Sequence, residues 1–282
     1  MGLVSWCEES ELGAWRQVMY RPSPLAGLVE SIWLFDGKLL RRERYYPTGE
    51  LDLIVQLGPP SESFRIVEGQ PAGAFPPSSL AGLIVAPLVI EAPAVPSRML
   101  GIRLRPAGAY SMIGVPLREL TGATLDLHDV IGSEARRLAE RLDDAGSDEA
   151  SVMLLGEWIA DRFARHPSTD PGVAYAVSEI ERTGGKVSVG NILDRIGASP
   201  KRLTSLFEEQ VGVKPKLFSR IVRFRRLAAA LRTGAKSLSQ TALAHGYYDQ
   251  PHMNAEFREF AGMSPRRFAA AVPYPESSSL AD

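Results

Sequence analysis

Residues 199–218 read SPKRLTSLFEEQVGVKPKLF, and residues 249–268, displaced by 50 positions, read DQPHMNAEFREFAGMSPRRF. Phe207 lies over Phe257, Glu209 over Glu259, and Gly212, Pro215 and Phe218 over Gly262, Pro265 and Phe268. Each copy opens on a side chain that caps helices, Ser199 or Asp249. Each closes on a glycine, with a proline three residues later. The pattern predicts one helix used twice. Between the copies Ile221, Phe224, Ala228 and Leu231 form one apolar stripe at helical spacing, which predicts a long spacer helix stopped at Thr233-Gly234. Arg220, Arg223 and Arg226 are expected on another face of that helix.

In the first copy Leu203, Leu206 and Phe207 fall at i, i+3 and i+4 and are expected to point inward. Lys201, Arg202, Thr204, Ser205 and Glu208 then point outward. In the second copy Met253 and Phe257 point in, and Gln250, Pro251, His252, Asn254 and Ala255 point out. Gly197 and the Gly246-Tyr-Tyr-Asp249 stretch supply tight turns ahead of the two helices. The first turn of such a helix presents free backbone N–H groups suited to phosphate, and its side chains can reach base edges.

Charge agrees with that reading. Residues 182–267 hold 16 Lys/Arg against six Asp/Glu, a net +10, so the rest of a chain of net charge -1 carries -11. Opposite signs in two halves suit a polyanion binder joined to an acidic partner domain. Lys186, Ser199, Arg220, Arg223, Lys236 and Arg258, near helix starts and on the spacer face, are the candidate phosphate contacts.

On these residues the segment 172–270 resembles the DNA-binding domain of the AraC/XylS transcriptional regulators. The match runs through Ser199-Pro-x-x-Leu203, Phe207, Gly212 and Pro215, then Gly246-Tyr-x-Asp249, Phe257-Arg258, Gly262, Pro265 and Phe268. The resemblance implies a seven-helix domain in which a linker helix holds two helix-turn-helix units. It implies base contacts from Lys201, Arg202, Thr204 and Ser205 in the first unit, and from Gln250, His252 and Asn254 in the second. The sequence departs from the family at Leu193, where a small residue is usual, and at Pro251 and Met253, where Ser and Phe are usual. Ala255 occupies a frequent base-reading position and offers only a methyl group. The first unit is therefore expected to specify sequence and the second to anchor the protein.

Outward from the repeat, 282 residues at 45% apolar content can bury a large core, and the length suggests two domains. The expected fold is α+β: a β-rich domain over 1–115, a helical extension over 116–166, and an all-α DNA-binding domain over 172–272. Ser31–Phe35, Leu51–Leu57, Leu83–Ala86 and Met99–Leu104 are the strand candidates, punctuated by Pro and Gly, which suggests a small barrel or sandwich. Ala135–Leu142 and Val152–Phe163 have helical spacing, and His166–Pro171 is a candidate linker.

Tyr45–Leu57, with Leu100–Tyr110 and Gly114–Leu120, is also similar to an uncharacterised, degenerate cupin-like domain found ahead of AraC-type DNA-binding domains. That resemblance implies small-molecule sensing, dimerisation, or both. Trp33, Phe35, Tyr45, Tyr46, Asp52, Arg103 and Arg105 are the candidate lining of an effector pocket, with Trp33, Tyr45, Asp52 and Arg103 at its centre.

Other chemistry is weakly supported. This half has only His128 and His166, too few for a cupin metal site, and the single cysteine, Cys7, has no basic cluster to activate it. Neither a Gly-rich phosphate loop nor a G-x-S-x-G turn is found, so no cofactor, no metal and no enzyme activity is expected. No apolar run approaches the roughly 20 residues of a membrane span, and the acidic N-terminal stretch does not read as a signal peptide. The expected protein is a cytoplasmic, effector-controlled regulator of transcription on double-stranded DNA, with a homodimer, and RNA polymerase for an activator, as further partners. The alternatives are an effector-independent regulator whose N-terminal half only dimerises, and a DNA reader fused to an enzyme.

Overall fold

Alternation along residues 51–57 sets the N-terminal architecture. Leu51, Leu53, Val55 and Leu57 are buried on one face of the strand, and Asp52, Ile54 and Gln56 stand half-buried on the other. Such a strand separates two environments. In the computed structural model, which describes residues 2–10, 12–59, 61–165, 168–234, 237–271 and 278–280, these are a helix-covered core and a cavity.

The N-terminal part comprises β1 (Val4–Ser10), β2 (Gly13–Tyr20), β3 (Val29–Leu39), β4 (Glu43–Tyr45), β5 (Leu51–Leu57), β6 (Phe64–Val67), β7 (Gln70–Ala74), β8 (Ser78–Ala81), β9 (Leu88–Glu91) and β10 (Ser97–Leu104). They are followed by α1 (Pro106–Ile113), β11 (Thr124–Asp126), α2 (Leu127–Ile131), α3 (Ser133–Asp143) and α4 (Asp148–Arg165). One antiparallel sheet runs β1-β2-β3-β10-β5-β8-β11. The second runs from β12 (Ser278–Leu280) through β4-β9-β6-β7. Helices α1, α3 and α4 cover the first sheet, where Leu138, Leu155 and Ile159 share a core with Leu53 and Leu100. Tertiary pairing joins segments that local periodicity did not mark as strands, β1 and β2 among them.

Two expectations are corrected. Leu83–Ala86 is not a strand. Leu83 is buried, but its carbonyl accepts from Gly122 N–H and the Gly82 N–H donates to Ala123 O, so the segment packs on the 117–123 turn instead of joining a sheet. The helical part begins at Pro106, ahead of residue 116, and β11 lies within the expected helical extension.

The C-terminal part is helical: α5 (Pro171–Thr183), α6 (Val189–Ile196), α7 (Pro200–Val211), α8 (Pro215–Arg232), α9 (Leu238–Ala244), α10 (Gln250–Ala261) and α11 (Pro265–Ala270). The sequence repeat becomes α7-α8 and α10-α11. Gly212 and Gly262 end α7 and α10 in the left-handed region, where a side chain is strained, and Pro215 and Pro265 begin the next helices. Phe224 of α8 lies 5.0 Å from Phe257 and 5.4 Å from Phe260, so the spacer helix and the second copy share an aromatic core.

That core does not stop at the N-terminal part. Tyr46, 5% exposed, places its ring 5.2 Å from Phe268 and 6.4 Å from Phe224. Thr121 donates its hydroxyl to Gly212 O at 2.7 Å, and Tyr110 donates to Glu209 at 3.1 Å. The end of α7 is thus seated on the N-terminal half.

Candidate DNA-reading face and effector cavity

Each unit pairs a scaffold helix with a capped second helix. In the first, α6 ends at Gly197 in the left-handed region, and Ser199 Oγ accepts from the Arg202 N–H at 3.3 Å to open α7. In the second, α9 leads through Gly246 to Asp249, which accepts from the His252 N–H at 2.8 Å to open α10. The caps orient the first turns that the sequence marked as readers.

Leu203, Phe207, Met253 and Phe257 are buried, and Lys201, Arg202, Ser205, Pro251, His252 and Ala255 are exposed. Thr204, Gln250 and Asn254 are half-buried. Arg202 is 67% exposed, with Asp170 at 3.7 Å. Gln250 accepts from the Ser239 hydroxyl at 2.8 Å, so the first candidate reader of the second copy is held by its own scaffold helix. The Asn254 side-chain oxygen is buried without a hydrogen-bond partner among the described residues, so part of that candidate faces inward.

The phosphate candidates divide. Ser199, Arg258 and Lys186 are exposed, and Lys186 approaches Ala244 O at 3.4 Å, beside the second unit's turn. Lys236 lies outside the described residues. Arg220 and Arg223 are not the open surface charges the spacing suggested. Arg223, 15% exposed, pairs with Glu256 at 3.1 Å and stacks over Tyr247 at 4.9 Å. Arg220 pairs with Glu256 at 2.8 Å and with Glu259, and lies over Phe260 at 4.9 Å. Burial alone would push the Glu256 carboxyl up, but hydrogen bonds from Arg223 and Arg220 outweigh it and hold it below its ordinary value. The two arginines clamp α8 to α10, because an inward carboxylate left without them would be an uncompensated buried charge.

In the N-terminal part a cavity of about 200 Å³ lies between the two sheets. Trp33, Tyr45, Asp52 and Arg103, distant in sequence, all line it, as does Phe35. The strand register brings them there: Asp52 stands opposite Arg103, and Trp33 opposite Gly101, where any larger residue would strike the indole. Arg103 donates to Asp52 at 3.0 and 3.3 Å. Tyr46 and Arg105 are corrected out of the lining. Tyr46 points to the opposite side, into the helical C-terminal part, and Arg105 pairs with Glu30 and, at 3.6 Å, with Glu181. Among the described residues no cluster of three or more His, Cys, Asp or Glu is arranged to hold a metal ion.

Sequence reasoning missed Gln17 and Glu43 in the lining, and it missed Glu50 and Arg225. Glu50 lies 4.0 Å from Arg103 and accepts from Arg225 of α8 at 3.0 Å, and Arg225 also reaches Glu181 at 3.1 Å. Burial pushes the Glu50 carboxyl up to about 7 despite Arg225 and Arg103. The available signal was alternation: Glu50, just ahead of β5, stands two residues from Asp52, and Glu43 shares a face of β4 with Tyr45.

The comparisons agree with this division. Residues 192–271 match the profile of a helix-turn-helix domain, and residues 19–126 match a domain of unknown function, DUF6597. A transcriptional regulator with an AraC-type DNA-binding domain from Chromobacterium violaceum is 29% identical over 36% of this chain and 90% of its own, with a TM-score of 0.34. The C-terminal domain of AraT, a response regulator from Geobacillus stearothermophilus, is 18% identical over 38% of this chain and 91% of its own, with a TM-score of 0.35. ToxT from Vibrio cholerae, in a structure with unsaturated fatty acid bound, is 11% identical over 84% of this chain and 93% of its own, with a TM-score of 0.44. No curated protein matches the chain. With two capped helix-turn-helix units on one spacer helix, residues 192–271 form an AraC-type helix-turn-helix domain, and residues 19–126 a domain of uncharacterised family.

Proposed function

We propose that this regulator is controlled by a small molecule bound in the N-terminal cavity, and that residues 45–52 pass its occupancy to the DNA-reading unit, residues 172–272. One observation carries the reading. Tyr45 lines the cavity, and its neighbour Tyr46 sits in the aromatic core of the DNA-binding part. A second connection runs from Asp52 and Arg103 through Glu50 to Arg225 on the spacer helix. A ligand acts by favouring one arrangement of these contacts over another.

In this proposal Lys201, Arg202, Thr204 and Ser205 read bases. Gln250, His252 and Asn254 contribute fewer contacts, and Ser199, Lys186 and Arg258 meet phosphate. Arg220 and Arg223 are assigned to structure. The protein acts in the cytoplasm on double-stranded DNA and performs no enzymatic step. It pairs with a second copy on operators with two sites and touches RNA polymerase when it activates.

A thermal-shift screen of small organic molecules tests the control. A stabilising compound should change operator affinity in the wild type and lose that effect in Tyr46→Ala, which keeps the cavity lining. Failure of every compound to stabilise the chain at saturating concentration would instead favour an N-terminal half that only dimerises.

A further inference from the structure

We infer that the cavity between the sheets takes an uncharged, largely apolar molecule whose one polar group both donates and accepts hydrogen bonds, as a primary amide does, and that Gln17 recognises that group. This rests on the effector reading above and names its ligand class. The walls are aromatic and aliphatic: Trp33, Phe35, Ile54, Phe75, Ile90 and Met99. Walls of this kind with a few polar groups suit an apolar skeleton whose orientation is fixed at one point. A cavity of about 150 Å³ holds benzene, so about 200 Å³ fits a one- or two-ring skeleton with a short arm.

Strand register grades the lining from one end to the other. Gln17 stands opposite Phe35, Phe35 opposite Met99, and Met99 opposite Gln56, so two amides flank an apolar rung. The Gln56 amide donates to the Ser61 hydroxyl. Gln17 is 7% exposed, and its side-chain oxygen has no hydrogen-bond partner among the described residues. A ligand that donates to it removes the penalty of burying it unpaired. The amide carries one acceptor and two donors, which exchange places by rotation about its last bond. Its complement is a neutral group with both. The charged lining groups lie toward the other end: Arg103 is four residues along β10 from Met99, roughly 13 Å at the usual strand rise. There Arg103 donates to Asp52 at 3.0 and 3.3 Å, and Glu43 accepts from the Tyr45 hydroxyl at 3.0 Å. Arg103 and Glu43 each have a further partner as well. An ionic ligand would lose its hydration and then have to break into these pairings. A neutral one leaves them intact.

The test uses the full chain and four probes on one skeleton, titrated calorimetrically at neutral pH: 2-naphthylacetamide, its methyl-ketone isostere 1-(2-naphthyl)propan-2-one, 2-naphthylacetate and 2-(2-naphthyl)ethylamine. The ketone keeps the size and the acceptor of the amide and lacks its donors. The amide should bind about threefold to tenfold tighter than the ketone, the net effect of one hydrogen bond. Both ions should bind about tenfold or more weaker than the amide, since each meets groups already paired. Gln17→Leu, close in volume, should bring amide and ketone to equal affinity. If that variant does not fold, the ranking of the four probes on the wild type decides alone. Equal binding of amide and ketone by the wild type, an undiminished preference in Gln17→Leu, or tightest binding of either ion overturns this ligand class and leaves an effector cavity standing. No binding by any probe overturns it too, and the thermal-shift screen then judges the effector reading separately.

Discussion

Arg202 and Arg223 show how residues of one type diverge by what faces them. Arg202 stands in the first turn of α7, 67% exposed, where a guanidinium can reach a base edge. Arg202→Ala should cost about 1–3 kcal/mol on the operator and much less on random DNA, measured by titration of both. Unchanged discrimination would remove Arg202 from the base readers. Arg223 is committed to Glu256, which is 5% exposed. Arg223→Ala should lower unfolding stability by about 3 kcal/mol, the usual cost of breaking a buried pair, without flattening the salt dependence of DNA binding. Arg258→Ala, at an exposed site, should do the reverse and weaken all sequences alike. Sequence spacing put Arg220 and Arg223 on a separate face of α8; it did not show that Glu256 lay beneath that face.

At the scale of elements, β4 and the turn after it matter most. Alternation sends Tyr45 to the cavity and Tyr46 to Phe268. Tyr46→Ala removes a buried aromatic from the contact between the two parts and should cost about 3–5 kcal/mol. It should also split a single thermal transition into two, since the seat of the spacer helix is lost. One sharp transition at lower temperature would mean that the contacts of Thr121 and Tyr110 suffice to hold α7 in place. The two copies of the repeat are also unequal as elements. α7 is seated by its C-terminal end on the N-terminal half and exposes Lys201 and Arg202, whereas α10 gives its inner face to Glu256 and the aromatic core.

In the whole molecule, Glu50 joins the cavity floor to the DNA-binding part. Its carboxyl is raised from an ordinary 4.5 to about 7 by burial. Between those values the folded chain holds a proton that the unfolded chain has lost, so this group's contribution is full below the lower value and disappears as pH rises through the upper. Stability should therefore fall from about pH 5 to pH 8 by up to about 3 kcal/mol relative to Glu50→Gln. Denaturant titrations across that range check it, and parallel pH profiles would show that Glu50 does not titrate there. By itself the sequence determined the repeated helix, its caps, its glycine stops and the outward set on α7, because capping, left-handed turns and apolar spacing are local properties of the chain. The tertiary structure alone decided that Trp33, Tyr45, Asp52 and Arg103 line one cavity, that Arg220 and Arg223 serve Glu256, and that Arg225 reaches Glu50 across 175 positions. Those outcomes depend on strand register and on which charged face packs against which, and pairing over such separations leaves no periodic trace in the sequence.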